Sequence, residues 1–310
     1  MAFNSRIILD SISPHGVRLT TMEVTFPRVV LSEFNTHRVF SRNSASSRAI
    51  PIEKRISAVE VDPFIPETFG KNQKGMQASE DLNDDDSERA RHEWMSACVS
   101  SIAHARKLAS LGVHKQLANR LIEPFCWQTV IVTSTEWSNF FALRCNPDAQ
   151  PEIRKIAEMM KESYVRSTPR VLGFGQWHTP YVDDAEADQI LKEEDLNGWS
   201  SADFGVVARV SAGRCARVSY LTHDGRRDWN ADITLANRLQ NSGHMSPFEH
   251  AARPMTDDDA SEIALYALSE CGSSPPVADP FTTYSGNFRG WLQLRKLLPN
   301  ESDFSKIVKV

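Results

Sequence analysis

The sequence predicts an α+β fold, with strands first and several long helices after them, and three observations carry that expectation. From Val17 to Phe26 apolar and polar residues alternate, which is the period of a strand. From Trp94 to Ala109 and from Ile153 to Met160 apolar residues recur at helical spacing. Gly112 stands where the former of these helices would stop and Pro151 where the latter would begin.

Taken in order, Arg6 to Asp10 reads as a first strand and Ser13 to Gly16 as a turn. Val17 to Phe26 is the second strand, and Pro27 ends it. Val29 to Arg38 reads as helical, with Val30 and Phe34 on one face. Residues 62–86 hold prolines, glycines and an acidic run, which predicts a loop, with Ser87 as the N-cap of the following helix. That helix carries Trp94, Ala97, Cys98, Ile102, Ala105 and Leu108. Further helices are expected over 113–122, 127–145 and from Pro151, the last with Ile153, Ile156, Ala157 and Met160 as its apolar face. Residues 182–203 are acidic and weakly apolar, and read as a linker holding a short surface helix. Helices over 202–219 and 228–242, a loop over 271–287 and a short helix from Trp291 to Leu298 complete the chain.

Composition narrows the function classes. The chain has 310 residues, 41% hydrophobic and 24% charged, enough for a full core. Thirty-five basic against 40 acidic residues, a net charge of -5, argue against a protein that coats nucleic acid. The five cysteines form no Cys-x-x-Cys pair, so a disulfide framework or zinc ribbon is not expected, and reduced cysteines in a cytoplasm are. No run of about 18 apolar residues exists to span a membrane. A Gly-x-Gly-x-x-Gly turn, a Gly-Lys-Ser/Thr loop and a Gly-x-Ser-x-Gly elbow are all missing, which leaves Rossmann, P-loop and serine-hydrolase sites unsupported.

Three constellations remain. Residues 36–48 hold three arginines, one histidine, one asparagine, one threonine and four serines. A polar surface turn has such a composition. This one follows directly on an apolar strand and helix, and hydroxyls beside guanidinium forks suit phosphate and carbonyl oxygens. Arg120 and Arg144 adjoin apolar runs, where an arginine is commonly snorkelling or paired. Arg214 and Arg217 lie one turn apart, which a plain surface position explains as well as a site does. In Ser242 to His250, two histidines and a glutamate invite a metal reading, but a helix C-cap and turn explains them better and no metal is expected.

Together these segments resemble the flavin-dependent thymidylate synthases, the ThyX family. The family signature is Arg-His-Arg-x-x-Ser-x-Asn-Glu-x-Ser-x-Arg. Thr36-His37-Arg38, Ser41, Asn43-Ser44, Ser46 and Arg48 match six of its eight defined positions at the right spacing. Phe140 to Arg144 with Ala149 to Arg154 resembles the second block, and Ala118 to Pro124 the segment before it. Ala216 to Tyr220 and His244 to His250 resemble the opening blocks, which in the family precede the signature and here follow it. The resemblance therefore implies a mixed sheet packed with several long helices, circularly permuted. Permutation is tolerable when the old termini lie close and exposed. The expected organisation is one composite domain: 1–181 with the signature and helices, 182–203 as the linker, and 204–310 as the permuted flavin-binding part and a C-terminal extension.

The resemblance also implies roles. Ser44, Ser46, Ser47, Arg48 and Arg120 would hold the substrate nucleotide. Arg144 would be the catalytic cation, set against the uracil ring to stabilise charge as N3 ionises. Thr36, His37, Arg38, Asn43, Asn139, Ser219, His244 and Ser246 would line the flavin. The expected reaction is reductive methylation of dUMP to dTMP, with FAD, NADPH as reductant and methylene-tetrahydrofolate as one-carbon donor, in a homotetramer. Two positions depart from the signature: Thr36 replaces arginine and Ser44 replaces glutamate, with Arg42, Arg289 or Arg295 able to restore charge. Loss of the carboxylate could admit water, which would give a hydroxymethyl product from dUMP or dCMP. A non-catalytic nucleotide-binding scaffold is the alternative from another class. A viral source of phage type, acting in a host cytoplasm, fits a nucleotide-modifying variant.

Overall fold

The computed structural model describes residues 3–193, 204–218, 228–269 and 278–299. β1 (Asn4–Ile12) and β2 (Arg18–Pro27) form an antiparallel pair, as the alternation predicts. β3 (Ser41–Ser44), β4 (Trp127–Ser134) and β5 (Arg170–Val171) complete a five-stranded mixed sheet of order β3-β4-β2-β1-β5. All its pairings are antiparallel except β1 with β5. The helices are α1 (Leu31–Asn35), α2 (Ile52–Val61), α3 (Asp84–Ser110), α4 (Lys115–Ala118), α5 (Ser138–Arg144) and α6 (Pro151–Arg166). Then come α7 (Asp184–Glu193), α8 (Phe204–Val218), α9 (Trp229–Asn241), α10 (Asp257–Ser269) and α11 (Leu294–Leu297). β6 (Ala252–Pro254) pairs with β9 (Trp291–Gln293), and β7 (Tyr284–Ser285) with β8 (Phe288–Arg289).

The helix expected over 127–145 is a strand followed by a short helix. Trp127 to Ser134 runs between β2 and β3. Val130 and Val132 pack on one face of the sheet and Ile131 on the other. A central strand buried on both faces loses its alternation, so period alone does not separate it from a buried helix. The helix expected over 113–122 is α4 and a 3-10 segment, Asn119–Phe125, that contains Pro124. The short helix expected from Trp291 begins as β9, because Trp291 to Gln293 pairs with β6 before the chain turns into α11. α3 starts before Ser87: Asn83 caps it by accepting from the Asp86 amide at 2.8 Å, and the acidic run sits in its first turn, where the helix dipole favours carboxylates. Gly112 follows its end at φ +80°, in the left-handed region a C-terminal stop requires.

α6 lies against β1 and β2 with Ile153, Ile156, Ala157 and Met160 fully buried, the face its spacing predicts. They pack with Met22, Val24, Phe26, Phe34, Phe40 and Phe140. Burying each such side chain contributes roughly 1.5–3 kcal/mol. The opposite face of the sheet is covered by α8, through Cys215 and Val218 on Ile131. The segment expected as a solvated linker is, up to Glu193, a packed helix: Ala187, Ile190 and Leu191 of α7 are buried with α8 and α9. Its acidic residues are not all solvent-facing either. Arg214, for which a surface position was equally expected, is buried, donating to Glu186 at 2.5 and 2.6 Å and to Asp232 at 2.9 Å.

A chain of polar groups crosses the same face. Ser11 bonds His178 Nδ1 at 2.8 Å, His178 Nε2 bonds Thr21 at 2.8 Å, Thr21 bonds Thr133 at 2.7 Å, and Thr133 bonds His250 Nδ1 at 2.8 Å. It ties residues 250–252 to the sheet, where His178 and Ala252 also exchange backbone bonds of 2.8 and 3.2 Å. Burial pushes His178 and His250 down to about 3, so both rings are neutral.

Candidate functional site

Edge strand β3 carries the middle of the signature. Its partner β4 aligns Asn43 with Ile131 and Ser44 with Val130. A cavity of about 650 Å³ wraps this edge. Thr36, Arg38, Arg42, Asn43, Ser44 and Ser46 line it from the signature, and Ser32 and Asn35 from α1. From the far end of the chain come Ala216 of α8, Leu239 of α9, and His244, Ser246 and Pro247. These last arrive because α9 ends at Asn241 and the His244 amide bonds back to the Leu239 carbonyl at 2.9 Å. The following 3-10 turn, Ser246–Glu249, buries Pro247 and Phe248 and packs against β3. Gln293 holds the two together, donating to Ser41 Oγ at 3.3 Å and to the Glu249 carbonyl at 3.1 Å.

The wall has unmet bonding capacity. Asn43 is 5% exposed, and among the described residues its amide Nδ2 has no partner. A buried donor left unpaired costs about 1–3 kcal/mol, so a group that accepts from it is favoured there. Burial, and then the neighbouring Arg38, hold Arg42 below its usual value, with Glu249 acting the other way. Two adjacent guanidinium groups and several hydroxyls on one wall suit an anionic, oxygen-rich ligand. The volume lies within the range of small-molecule and cofactor sites, about 300–1,000 Å³. The residues present therefore fit a nucleotide or a flavin nucleotide.

Of the residues singled out in the sequence, the structure brings Thr36, Arg38, Asn43, Ser44, Ser46, His244 and Ser246 onto this cavity. Arg42 joins them, whereas Arg289 pairs with Glu136 and Arg295 with Glu249. His37 is buried behind the wall, against Phe40 and Phe140. Its Nε2 accepts from Arg144 Nε at 3.0 Å, and Arg144 Nη2 donates to Thr36 Oγ1 at 3.3 Å. Arg144 is thus one residue removed from the cavity lining. Burial, then Arg144 and Arg42, push His37 down to about 4.

Ser47, Arg48 and Arg120 lie beyond the end of β3, off the cavity. Ser47 is buried and donates to Glu123, which also accepts from Arg120 at 3.0 Å; Arg48 is exposed. Asn139 is exposed on α5, and Ser219 lies outside the described residues. Ser32 and Asn35 went unremarked in the sequence. The available signal was that Ser32 stands one helical turn before both Asn35 and Thr36. Among the described residues no group of three or more His, Cys, Asp or Glu could hold a metal ion, and no helix is long and apolar enough to cross a membrane.

The fold has solved relatives at low identity. A UMP/dUMP methylase, PolB from Streptomyces cacaoi, bound with 5-Br UMP, is similar at 16% identity and a TM-score of 0.46, over 53% of this chain and 89% of that one. With 5-Br dUMP bound the figures are 14%, 0.45, 53% and 91%. ThyX from Helicobacter pylori, complexed with FAD and dUMP, is similar at 20% identity and a TM-score of 0.32, over 47% of this chain and 67% of that one. No curated protein matches the sequence. The family model described as thymidylate synthase complementing protein matches residues 13–170, just over half of the 310 residues, and spans the whole signature. The chain belongs to that family, Thy1, the flavin-dependent thymidylate synthases whose signature runs from Thr36 to Arg48.

Proposed function

We propose that this protein transfers a one-carbon unit from methylene-tetrahydrofolate to C5 of dUMP and forms dTMP by reductive methylation. The observation that carries the reading is the shared cavity. Signature residues Arg38, Asn43, Ser44 and Ser46 meet His244 and Ser246, from the blocks that the family places first, on one lining. That meeting also supports a circularly permuted order within a single composite domain.

Arg38, Asn43, His244 and Ser246 would hold the flavin, and Ser44 and Ser46 the nucleotide. Bound FAD would supply the two electrons, drawn from NADPH, that take the transferred carbon from methylene to methyl. The chain's own contribution is electrostatic. His37 accepts from Arg144 and is neutral, so it aims the guanidinium without cancelling its charge. A fixed cation there favours loss of the N3 proton and raises electron density at C5. C5 then gains the carbon and gives up its own proton. Arg48 and Asn139 are exposed and outside the cavity; in a homotetramer they would serve a neighbouring subunit's site.

A second reading is hydroxymethylation of dUMP or dCMP, which one observation favours. Ser44 and Thr36 put hydroxyls on the cavity wall where the signature has a carboxylate and a guanidinium. Incubation with dUMP, methylene-tetrahydrofolate, FAD and NADPH, followed by product mass, separates the two. A methyl product is expected; a hydroxymethyl product would replace the first reading with the second, and no product with any flavin bound would leave a scaffold.

A further inference from the structure

Beside the cavity, past Ser46, one carboxylate gathers three donors. Glu123 accepts from Ser47 Oγ, from Arg120 Nη1 at 3.0 Å and from Arg28 Nη2 at 3.0 Å. Ser47 and Arg120 are two of the residues that the family resemblance reserves for the nucleotide. A carboxylate held by a hydroxyl and two guanidinium groups has the same partners a phosphate monoester would take. Behind it lies a second feature. Arg55 of α2 is 6% exposed; it bonds the Cys126 thiol, but among the described residues its Nε and Nη2 meet no oxygen acceptor. It lies near enough to Arg28 and Glu123 to feel both charges. Buried guanidinium N–H groups without acceptors are costly, and a nearby carboxylate is the group that would relieve them.

We infer that Glu123 is an internal stand-in for the substrate phosphate. It holds Ser47 and Arg120 when no nucleotide is bound, and moves onto Arg28 and Arg55 when a phosphate monoester arrives. The exchange selects for charge. A phosphate dianion outcompetes a single carboxylate for Arg120, whereas an uncharged nucleoside offers nothing to displace it. Glu123 is thus a specificity-determining residue that makes the site answer to nucleotides and not to nucleosides. The inference rests on the nucleotide reading above.

Calorimetric titration of dUMP, deoxyuridine and inorganic phosphate into the full chain and into Glu123→Gln tests it. The glutamine keeps the shape and removes the competing charge. The expected result is dUMP and phosphate binding tightened about tenfold, with deoxyuridine unchanged. Weaker or unchanged dUMP binding by the variant would make Glu123 a support for Arg120 rather than a competitor, and would overturn the inference alone. Failure of both proteins to bind dUMP would overturn the nucleotide reading with it. Arg55→Met supplies a second arm, with thermal unfolding as the check that it folds. It should weaken dUMP binding when Glu123 is present and have little effect in the Glu123→Gln background. An equal loss in both backgrounds would mean that Arg55 only supports the fold.

Discussion

Arg144 and His37 are joined by a 3.0 Å hydrogen bond from Nε of the arginine to Nε2 of the imidazole. An acceptor Nε2 fixes the ring as the tautomer protonated on Nδ1. The signature histidine is therefore a neutral rest for a cation donated by a helix about a hundred residues away in sequence.

Replacement of Arg144 by alanine tests that arrangement most directly. The side chain is half-buried, and the hydrogen bonds it makes are to His37 and Thr36 rather than to the sheet, so folding should be largely spared. Turnover should fall by a factor of about 100 or more, the usual loss when one stabilising charge or donor is removed. Product formation from dUMP and a circular dichroism melt measure the two effects. A fully active variant would remove Arg144 from the chemistry.

Acid should destabilise the protein earlier than its carboxylates would require. His37 is pushed down to about 4, and His178 and His250 to about 3, from a usual value of 6.5. Below 6.5 the unfolded chain binds protons on these rings that the folded chain does not, so stability falls as pH falls and is full only above that value. The melting temperature should drop between about pH 7.5 and about pH 5. His250→Gln, which keeps an amide for Thr133, should flatten that drop. A pH-independent melting temperature would mean that these rings are solvated in solution.

Ser44→Glu restores the signature carboxylate at a half-buried position on the cavity wall. With Arg38 and Arg42 on the same lining, the new charge has cations to face. If the hydroxyl at Ser44 is what lets water reach the one-carbon unit, the wild-type product should contain hydroxymethyl nucleotide and the variant less of it. Mass analysis of both products decides, and an unchanged ratio would dissociate residue 44 from the product.

The packing of α8 on α9 turns on Asp232, 1% exposed, which accepts from Arg214 at 2.9 Å and Arg217 at 2.6 Å. Asp232→Ala should cost about 3 kcal/mol, because it takes the carboxylate from Arg217 and leaves the buried Arg214 to Glu186 and the Tyr181 carbonyl. Gly213 should tolerate no side chain, since a Cβ there would lie 2.4 Å from the Asp232 carbonyl oxygen. Denaturant melts of Asp232→Ala and Gly213→Ala measure both. A loss under about 1 kcal/mol for either would show that the two helices can separate without cost.

Local pattern determined a good deal of this protein. The β1–β2 pair, the buried face of α6, the stop at Gly112, the helix at α8 and the extent of α9 could each be read from residues a few positions apart. So could the signature itself, because its spacing is local. What only the tertiary structure decided depends on neighbours distant in the chain. Trp127 to Ser134 is a strand because β2 and β3 flank it on both edges, and burial on both faces erased the alternation that would have marked it. The inner face of α7 and Arg214 of α8 are interior because α7, α8 and α9 pack on one another, although their composition reads as surface. The same holds at the site. Spacing placed Ser46, Ser47 and Arg48 in one motif, but they follow the end of β3 at Ser44, where the chain turns and sends them apart. Ser46 therefore faces the cavity with His244 and Ser246, while Ser47 turns to Glu123, a partner that only the fold could supply.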